Sequence, residues 1–327
     1  MTTNAPIPQL DPLEIKSISL WGSEYLLAKW LNRIQIGTLE AQFPSGVTKT
    51  FSGFLEGPKA TIKIHKLSLV RRLIISGDIG LAESFMAEEW DTPDLTALIR
   101  LGELNEKAFG NAATPSKLMR LLNRLRHGWR ANSRRGSQKN IAAHYDLGNR
   151  FYSNWLDKSM SYSSGLFHDL TIDHEIAQRN KYLRLAKQLD LKEGQTVLEI
   201  GCGWGGFAEI AAKEFQCKVV GLTLSKEQAQ FAQNRMDEAQ LTELVDIRIQ
   251  DYRDVEGNYD KIVSIEMFEA VGQENWNSYF DIIKNRLKNG GKAAIQSITI
   301  ADTFFEKYKK EPDFIQKYIF PGGVLPS

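Results

Sequence analysis

The feature that most limits what this chain can become is Val197-Leu-Glu-Ile-Gly-Cys-Gly-Trp-Gly-Gly206. An apolar run of strand length enters a glycine-dense turn. Residues 206–215 then leave it as a helix, with Phe207, Ile210, Ala211 and Phe215 along one face. Glycines at such a junction (Gly201, Gly203 and Gly205 here) let the backbone turn without steric cost and approach a flat ligand closely. Alone the pattern is weak, because dinucleotide-binding folds use a related one. Glu199, two residues before the first glycine, shifts the reading. A carboxylate there suits a cationic ligand end better than a pyrophosphate, and no P-loop lysine follows. The expected ligand is S-adenosylmethionine, whose sulfonium and amino-acid tail are positive. A plain tight turn with Glu199 satisfied at the strand end is the structural alternative.

Helices and strands alternate around this turn. A helix over 175–189 precedes it. Strands follow at 217–224, 245–250, 259–266 and 292–300, with helices at 226–240 and 275–288, the latter expected to stop at Gly290-Gly291. Repeated βαβ units imply an α/β, doubly wound, mostly parallel sheet that binds ligands beyond its carboxyl edge. The strand at 217–224 ends at Gly221-Leu-Thr-Leu-Ser225 without the acidic residue that usually takes a ribose, leaving Thr223, Leu224 and Gln228 as candidates. Ser225-Lys-Glu-Gln228 is also a capping box, and Ser225 can cap a helix while Gln228 faces the crevice. Gln250-Asp251-Tyr252 ends the next strand, offering a carboxylate to the adenine amino group and a ring to stack on it.

Residues 1–111 read as a small α+β domain. Strands are expected at 34–43, 51–55 and 60–64, the last two divided by Gly57-Pro58. Helices follow at 67–75 and 81–89, broken by Gly77-Asp78 and Gly80, and at 94–106. From Ala112 to Tyr145 there is no acidic residue, whereas Lys117, Arg120, Arg124, Arg126, Arg130, Arg134, Arg135 and Lys139 are basic. Residues 112–139 thus read as a basic amphipathic linker, suited to an anionic phospholipid membrane surface or, equally, to packing on a domain.

Across the chain, 41 basic residues balance 40 acidic ones, so no global field points to nucleic acid. Cys202 and Cys217 are the only cysteines, which excludes a disulfide scaffold. No apolar run is long enough to span a bilayer and no signal peptide opens the chain, so a cytoplasmic protein, peripheral on the inner face of the membrane, is expected.

Taken together, His144-Tyr-Asp-Leu-Gly-Asn149, Met160-Ser-Tyr-Ser-Ser164, the glycine turn, Gly221–Gln228, Gln250-Asp-Tyr-Arg253, Ile262–Gly272 and Tyr318–Gly323 resemble the cyclopropane-fatty-acyl-phospholipid synthase family. The resemblance covers 140–327 and extends through 77–83 and 89–94 into a first domain similar to a small lipid-carrier fold. It implies methyl transfer from S-adenosylmethionine to a cis double bond of an unsaturated phospholipid acyl chain, then ring closure by proton loss. Methylene- or methyl-branched products remain alternatives. A homodimer is compatible with this reading.

By position, Glu269 is similar to the family's bicarbonate-binding glutamate, and Tyr162 and Ser163 to residues lining the cofactor. Three positions depart from the best-known members: Ser164 stands where cysteine is common, Gln296 where histidine is common, and Glu266 where glycine is common. These changes put the usual bicarbonate cage in question. Glu266 is expected to project into the ion's place and act as the base, in a catalytic set of Glu266, Glu269, Tyr162, Ser164 and Gln296. The family also continues past 327 with further strands and an active-site tyrosine. A truncated chain, even a binding remnant without turnover, is therefore a further expectation; a methyltransferase for a soluble metabolite is the weaker rival.

Overall fold

The computed structural model describes residues 20, 22–110, 148–310 and 312–327. The basic stretch 112–139 and motif residues 144–147 lie outside them. The chain divides into two compact units.

The first unit is a four-stranded sheet ordered β2-β1-β3-β4, formed by β1 (Ile36–Gln42), β2 (Thr48–Ser52), β3 (Leu55–Ile64) and β4 (Trp90–Asp91). β1 buries Gly37, Leu39 and Ala41 in alternation, which gives one apolar sheet face. Helices α1 (Gly22–Leu31), α2 (Ser68–Met86), α3 (Leu95–Leu104) and α4 (Glu106–Phe109) complete it. Leu27, Leu31, Leu39, Phe51, Ile62 and Trp90 share its core. Buried Asn105 ties α3 to β1: its Oδ1 accepts from Gln35 N and Ile36 N at 2.8 and 3.0 Å, and its Nδ2 donates to the Ile36 and Leu101 carbonyls at 2.8 Å each.

One local expectation is corrected here. Gly57-Pro58 does not divide one strand from another; it lies inside β3, where the register against β1 shifts between Ile36 and Thr38. A bulge absorbs the proline's missing donor. The break expected at Gly77-Asp78 is present: Gly77, at φ 61° and ψ −135°, divides the segment 68–86 into two helices that meet at a kink.

In the second unit α5 (Asn149–Tyr152) and α6 (His174–Leu189) precede β5 (Thr196–Ile200). There follow α7 (Gly206–Phe215), β6 (Lys218–Thr223), α8 (Lys226–Glu238), β7 (Val245–Ile249), β8 (Tyr259–Ile265), α9 (Trp276–Arg286), β9 (Leu287–Gln296) and α10 (Asp302–Tyr308). The five strands are all parallel in the order β7-β6-β5-β8-β9, as the βαβ reading requires. Neighbours along β5 serve opposite faces: Val197 packs with Phe207 and Ala211, Leu198 with Ile262 and Tyr279. A sheet buried on both sides needs such continuous apolar strands. Helix ends follow their local signals, with Asp173 accepting from Glu175 N and Ser225 from Gln228 N. The expected helix stop at Gly290-Gly291 is corrected: α9 ends at Arg286, and the glycines sit in a β9 bulge where Gly290 takes φ 76°. Among the described residues no helix is long and apolar enough to cross a membrane.

Candidate active site

The candidate residues gather at the carboxyl ends of β5, β6, β7, β8 and β9, where a sheet wound this way receives ligands. After β5, Gly201, Gly203 and Gly205 take φ values of 82°, 52° and 84°. Gly201 N and Cys202 N donate to the Leu222 carbonyl at 3.0 and 2.8 Å, fastening the turn to β6. A Cβ on Gly203 would meet nothing within 4 Å, so that corner faces open space. Beside it Glu199 is 2% exposed, and its Oε2 has no hydrogen-bond partner among the described residues. Burial pushes its carboxyl well above the ordinary range, with Lys181 and the Ala208 amide opposing. A buried acceptor without a donor is costly unless a ligand supplies one. The residues therefore fit a cationic amino-acid tail.

On β6 the Thr223 hydroxyl donates to Gln228 Oε1 at 2.8 Å, and Ser225 Oγ accepts from Gln228 N at 3.3 Å. Ser225 thus caps α8, and Thr223 orients Gln228 rather than standing open as a second donor. Leu224 between them is half-buried. Asp251 is also less open than its position suggested. Its Oδ1 accepts from Arg253 N and Nε at 3.0 and 2.9 Å, and its Oδ2 from Arg253 Nη2 at 2.6 Å. Any adenine amino group would share this carboxylate with Arg253. Tyr252 meets Tyr279 edge-on, with ring centroids 5.6 Å apart.

The three departing positions come together. Glu266 Oε1 accepts from Ser164 N at 2.9 Å, Ser164 Oγ at 2.7 Å and Gln296 Nε2 at 2.9 Å, while Gln296 Nε2 also reaches Ser164 Oγ at 3.2 Å. Glu266 N donates to the Gln296 carbonyl at 2.8 Å. The backbone of Glu266 is left-handed, φ 50°, a conformation that glycine adopts at no steric cost. Strain of this kind persists where surrounding contacts over-determine it. Here one oxygen is held by three donors and Oε2 stays outside that set.

Glu269 follows one turn later. Its Oε1 accepts from Ser297 Oγ at 2.9 Å and from Ile298 N, and its buried Oε2 has no partner among the described residues. Burial raises its carboxyl, and the Glu266 charge adds to this. Tyr162 stacks on Phe320 at 6.0 Å and meets Trp155 edge-on at 5.3 Å, giving an aromatic wall. Burial, then Glu266, raises its phenol. Ser163 Oγ accepts from Lys181 Nζ, a contact the sequence reading missed. Its signal was there: Gln178 and Lys181 interrupt an otherwise apolar buried stripe of α6 at i, i+3 spacing. Two shallow hollows lie elsewhere. One of about 500 Å³ opens at the amino ends of β6, β7 and β8, among Lys218, Glu243, Asp246 and Arg248, and the other, of about 590 Å³, lies in the first unit. Ligand chemistry in this winding belongs to the opposite end of the strands from the first hollow.

Strand order, glycine turn and buried acidic residue define a methyltransferase fold that uses S-adenosylmethionine. In agreement, mycolic acid cyclopropane synthase CmaA1 complexed with SAH and CTAB superposes with a TM-score of 0.54 at 31% identity, over 58% of this chain and 70% of that one. The chain belongs to the mycolic acid cyclopropane synthetase family, whose model matches residues 132–327. It is 37% identical over 288 residues to tuberculostearic acid methyltransferase UfaA1 of Mycobacterium tuberculosis, covering 85% of this chain and 66% of that protein. To the cyclopropane-fatty-acyl-phospholipid synthase of Escherichia coli it is 35% identical over 276 residues, covering 82% and 67%. The chain thus spans about two thirds of the length of these relatives.

Proposed function

We propose that this protein methylates the cis double bond of an unsaturated phospholipid acyl chain, with Glu266 as the base that closes a cyclopropane ring. The observation that carries this reading is the convergence of Ser164 and Gln296 on one oxygen of Glu266. Such donors fix a carboxylate in place and leave its second oxygen for a substrate proton.

Glu199 and the 201–205 turn would hold the cofactor's tail, and Gln228, Asp251 and Tyr252 its nucleoside. Bound there, S-adenosylmethionine supplies an electrophilic methyl group, and methylation of one alkene carbon leaves positive charge on its neighbour. The faces of Tyr162, Phe320 and Trp155 stabilise that charge, and the Glu266 and Glu269 carboxylates add to it. Glu266 Oε2 takes a proton from the added methyl, and the freed C–H pair bonds to the cationic carbon. A resident carboxylate makes a second anion beside it costly, so bicarbonate is dispensable in this scheme. The first unit is read as lipid-carrier-like, and 112–139 as the contact with an anionic membrane surface.

A methylene- or methyl-branched product is the second reading, favoured by the likeness to a tuberculostearic acid methyltransferase. The test incubates the 327-residue chain with methyl-labelled S-adenosylmethionine and vesicles of unsaturated phospholipid, followed by mass spectrometry and NMR of the lipids. A labelled ring supports the proposal, and a labelled branch supports the second reading. Cofactor binding without lipid label leaves a binding remnant. Label confined to a soluble acceptor refutes a lipid substrate.

A further inference from the structure

Helix α6 carries a lysine on its buried face. Lys181 is 3% exposed, and its Nζ donates to Ser163 Oγ and, at 2.5 Å, to Gln178 Oε1. The Tyr182 ring centroid lies 4.3 Å from it. Gln178 Nε2 donates in turn to the Ser163 carbonyl at 2.7 Å, so α6 grips both the side chain and the backbone of Ser163. Three carboxylates face Lys181 from other elements: Glu266 after β8, Asp157 ahead of the 160–164 segment, and Glu199 on β5. The charge of Arg235 on α8 acts on the neighbouring Tyr182. Burial pulls the lysine down to about 8, with those carboxylates pulling it back up.

An ammonium only donates. Ser163 Oγ must therefore accept from Lys181, and its own hydroxyl hydrogen meets no acceptor among the described residues. Glu199 offers the complement, a buried oxygen lacking a donor. A zwitterionic amino-acid tail answers both needs, with its ammonium on Glu199 and its carboxylate on the Ser163 hydroxyl.

We propose that Lys181 is a positioning residue of the cofactor crevice, which fixes the Ser163 hydroxyl as the donor to the cofactor's tail carboxylate. This rests on the methyltransferase reading above and adds a polarity to it. A neutral Lys181 can accept from Ser163, which turns the hydroxyl away and removes that donor. Affinity for the tail then falls as the lysine loses its proton.

The test is calorimetric titration of the full chain with S-adenosylhomocysteine between pH 7 and 9.5, for the native protein, Lys181→Arg, Lys181→Met and Ser163→Ala. The ligand's own amino group titrates alike in all four, so only differences between variants are read. The native affinity should fall about tenfold more across this range than that of Lys181→Arg, the loss of one charge-supported hydrogen bond. Lys181→Met and Ser163→Ala should bind about tenfold more weakly at pH 7, without the extra fall. Native-like affinity in Lys181→Met overturns the proposal. Should that variant not fold, an undiminished alkaline fall in Lys181→Arg overturns it equally. Absence of lipid product with this pH signature intact would refute the proposed reaction and leave the role of Lys181 standing.

Discussion

Ser164 and Glu266, 102 positions apart, meet through two hydrogen bonds on a single carboxylate oxygen, from Ser164 N at 2.9 Å and Ser164 Oγ at 2.7 Å. Neither residue could hold this geometry alone. The left-handed backbone at Glu266 aims the side chain, and the 160–164 segment receives it.

If Glu266 is the base, Glu266→Gln keeps the shape and loses the proton acceptor. Ring formation should drop by about a hundredfold or more, the usual worth of a positioned general base. Glu266→Gly relieves the left-handed strain and opens the space beside Ser164 and Gln296. In that variant added bicarbonate should restore some of the activity, whereas the native enzyme should ignore bicarbonate depletion. Product quantified by gas chromatography in degassed and bicarbonate-supplemented buffer checks both. A native enzyme that needs bicarbonate would sink the assignment.

The clamp itself is separable from the base. Ser164→Ala and Gln296→Ala each remove a donor to a carboxylate, a contact worth about 1.5–3 kcal/mol. Turnover should fall about tenfold to a hundredfold in each, with the affinity for S-adenosylhomocysteine within about twofold of native. The double variant should lose less than the product of the two, because Gln296 Nε2 also touches Ser164 Oγ. Full additivity would mean that the two donors act independently.

Much of this site is written locally in the sequence. The glycine turn, Glu199 beside it and the Ser225 cap need only neighbours within a few residues, so spacing and residue type reveal them. What spacing could not reveal depends on distant partners. Gly57-Pro58 reads as a break until β1 is laid beside β3 and the bulge appears. Gly290-Gly291 reads as a helix stop until β8 pairs with β9. Asp251 reads as an open acceptor, although Arg253 two residues on folds back to occupy it. Lys181 drew no reading from the sequence, because its partner Ser163 reaches it only through the 160–164 segment.

Glu199 should trade stability for binding. Its buried carboxyl is raised well above the usual range, chiefly by burial, so the folded chain keeps this proton to higher pH than the unfolded chain does. Stability from this group is therefore fully present below the ordinary carboxylate value and is lost as pH rises from there toward the raised value of the folded chain. Glu199→Gln removes the ionisation, so the ligand-free variant should melt higher than the native protein at pH 8 and equally at pH 4. The same change removes a carboxyl able to ionise against the cofactor's ammonium, and S-adenosylhomocysteine should bind about tenfold more weakly. Differential scanning fluorimetry with and without the ligand reads both effects. A variant that melts lower at pH 8 in the absence of ligand would contradict the buried-charge account.

At the far end of the strands, Asp260 tests the sheet without touching the crevice. Its Oδ2 accepts from Thr196 N and Oγ1 at 2.8 Å each and from Lys288 Nζ at 2.9 Å, tying β5, β8 and β9 together. The Thr196 amide chiefly holds this carboxyl down, to about 2, with the Thr196 hydroxyl and Lys288 assisting against burial. A depressed carboxyl stabilises the fold fully above its ordinary value near 4 and loses that contribution as pH falls through its folded value. Asp260→Ala should cost about 1–3 kcal/mol in urea unfolding at pH 7, since the Thr196 amide loses its acceptor. The gap between variant and native protein should narrow below pH 4 and be smallest near pH 2. Binding of S-adenosylhomocysteine at pH 7 should be unchanged, because the crevice lies at the opposite end of β5. A gap that stays constant between pH 7 and pH 2 would show that the ionised carboxylate is not what joins the three strands.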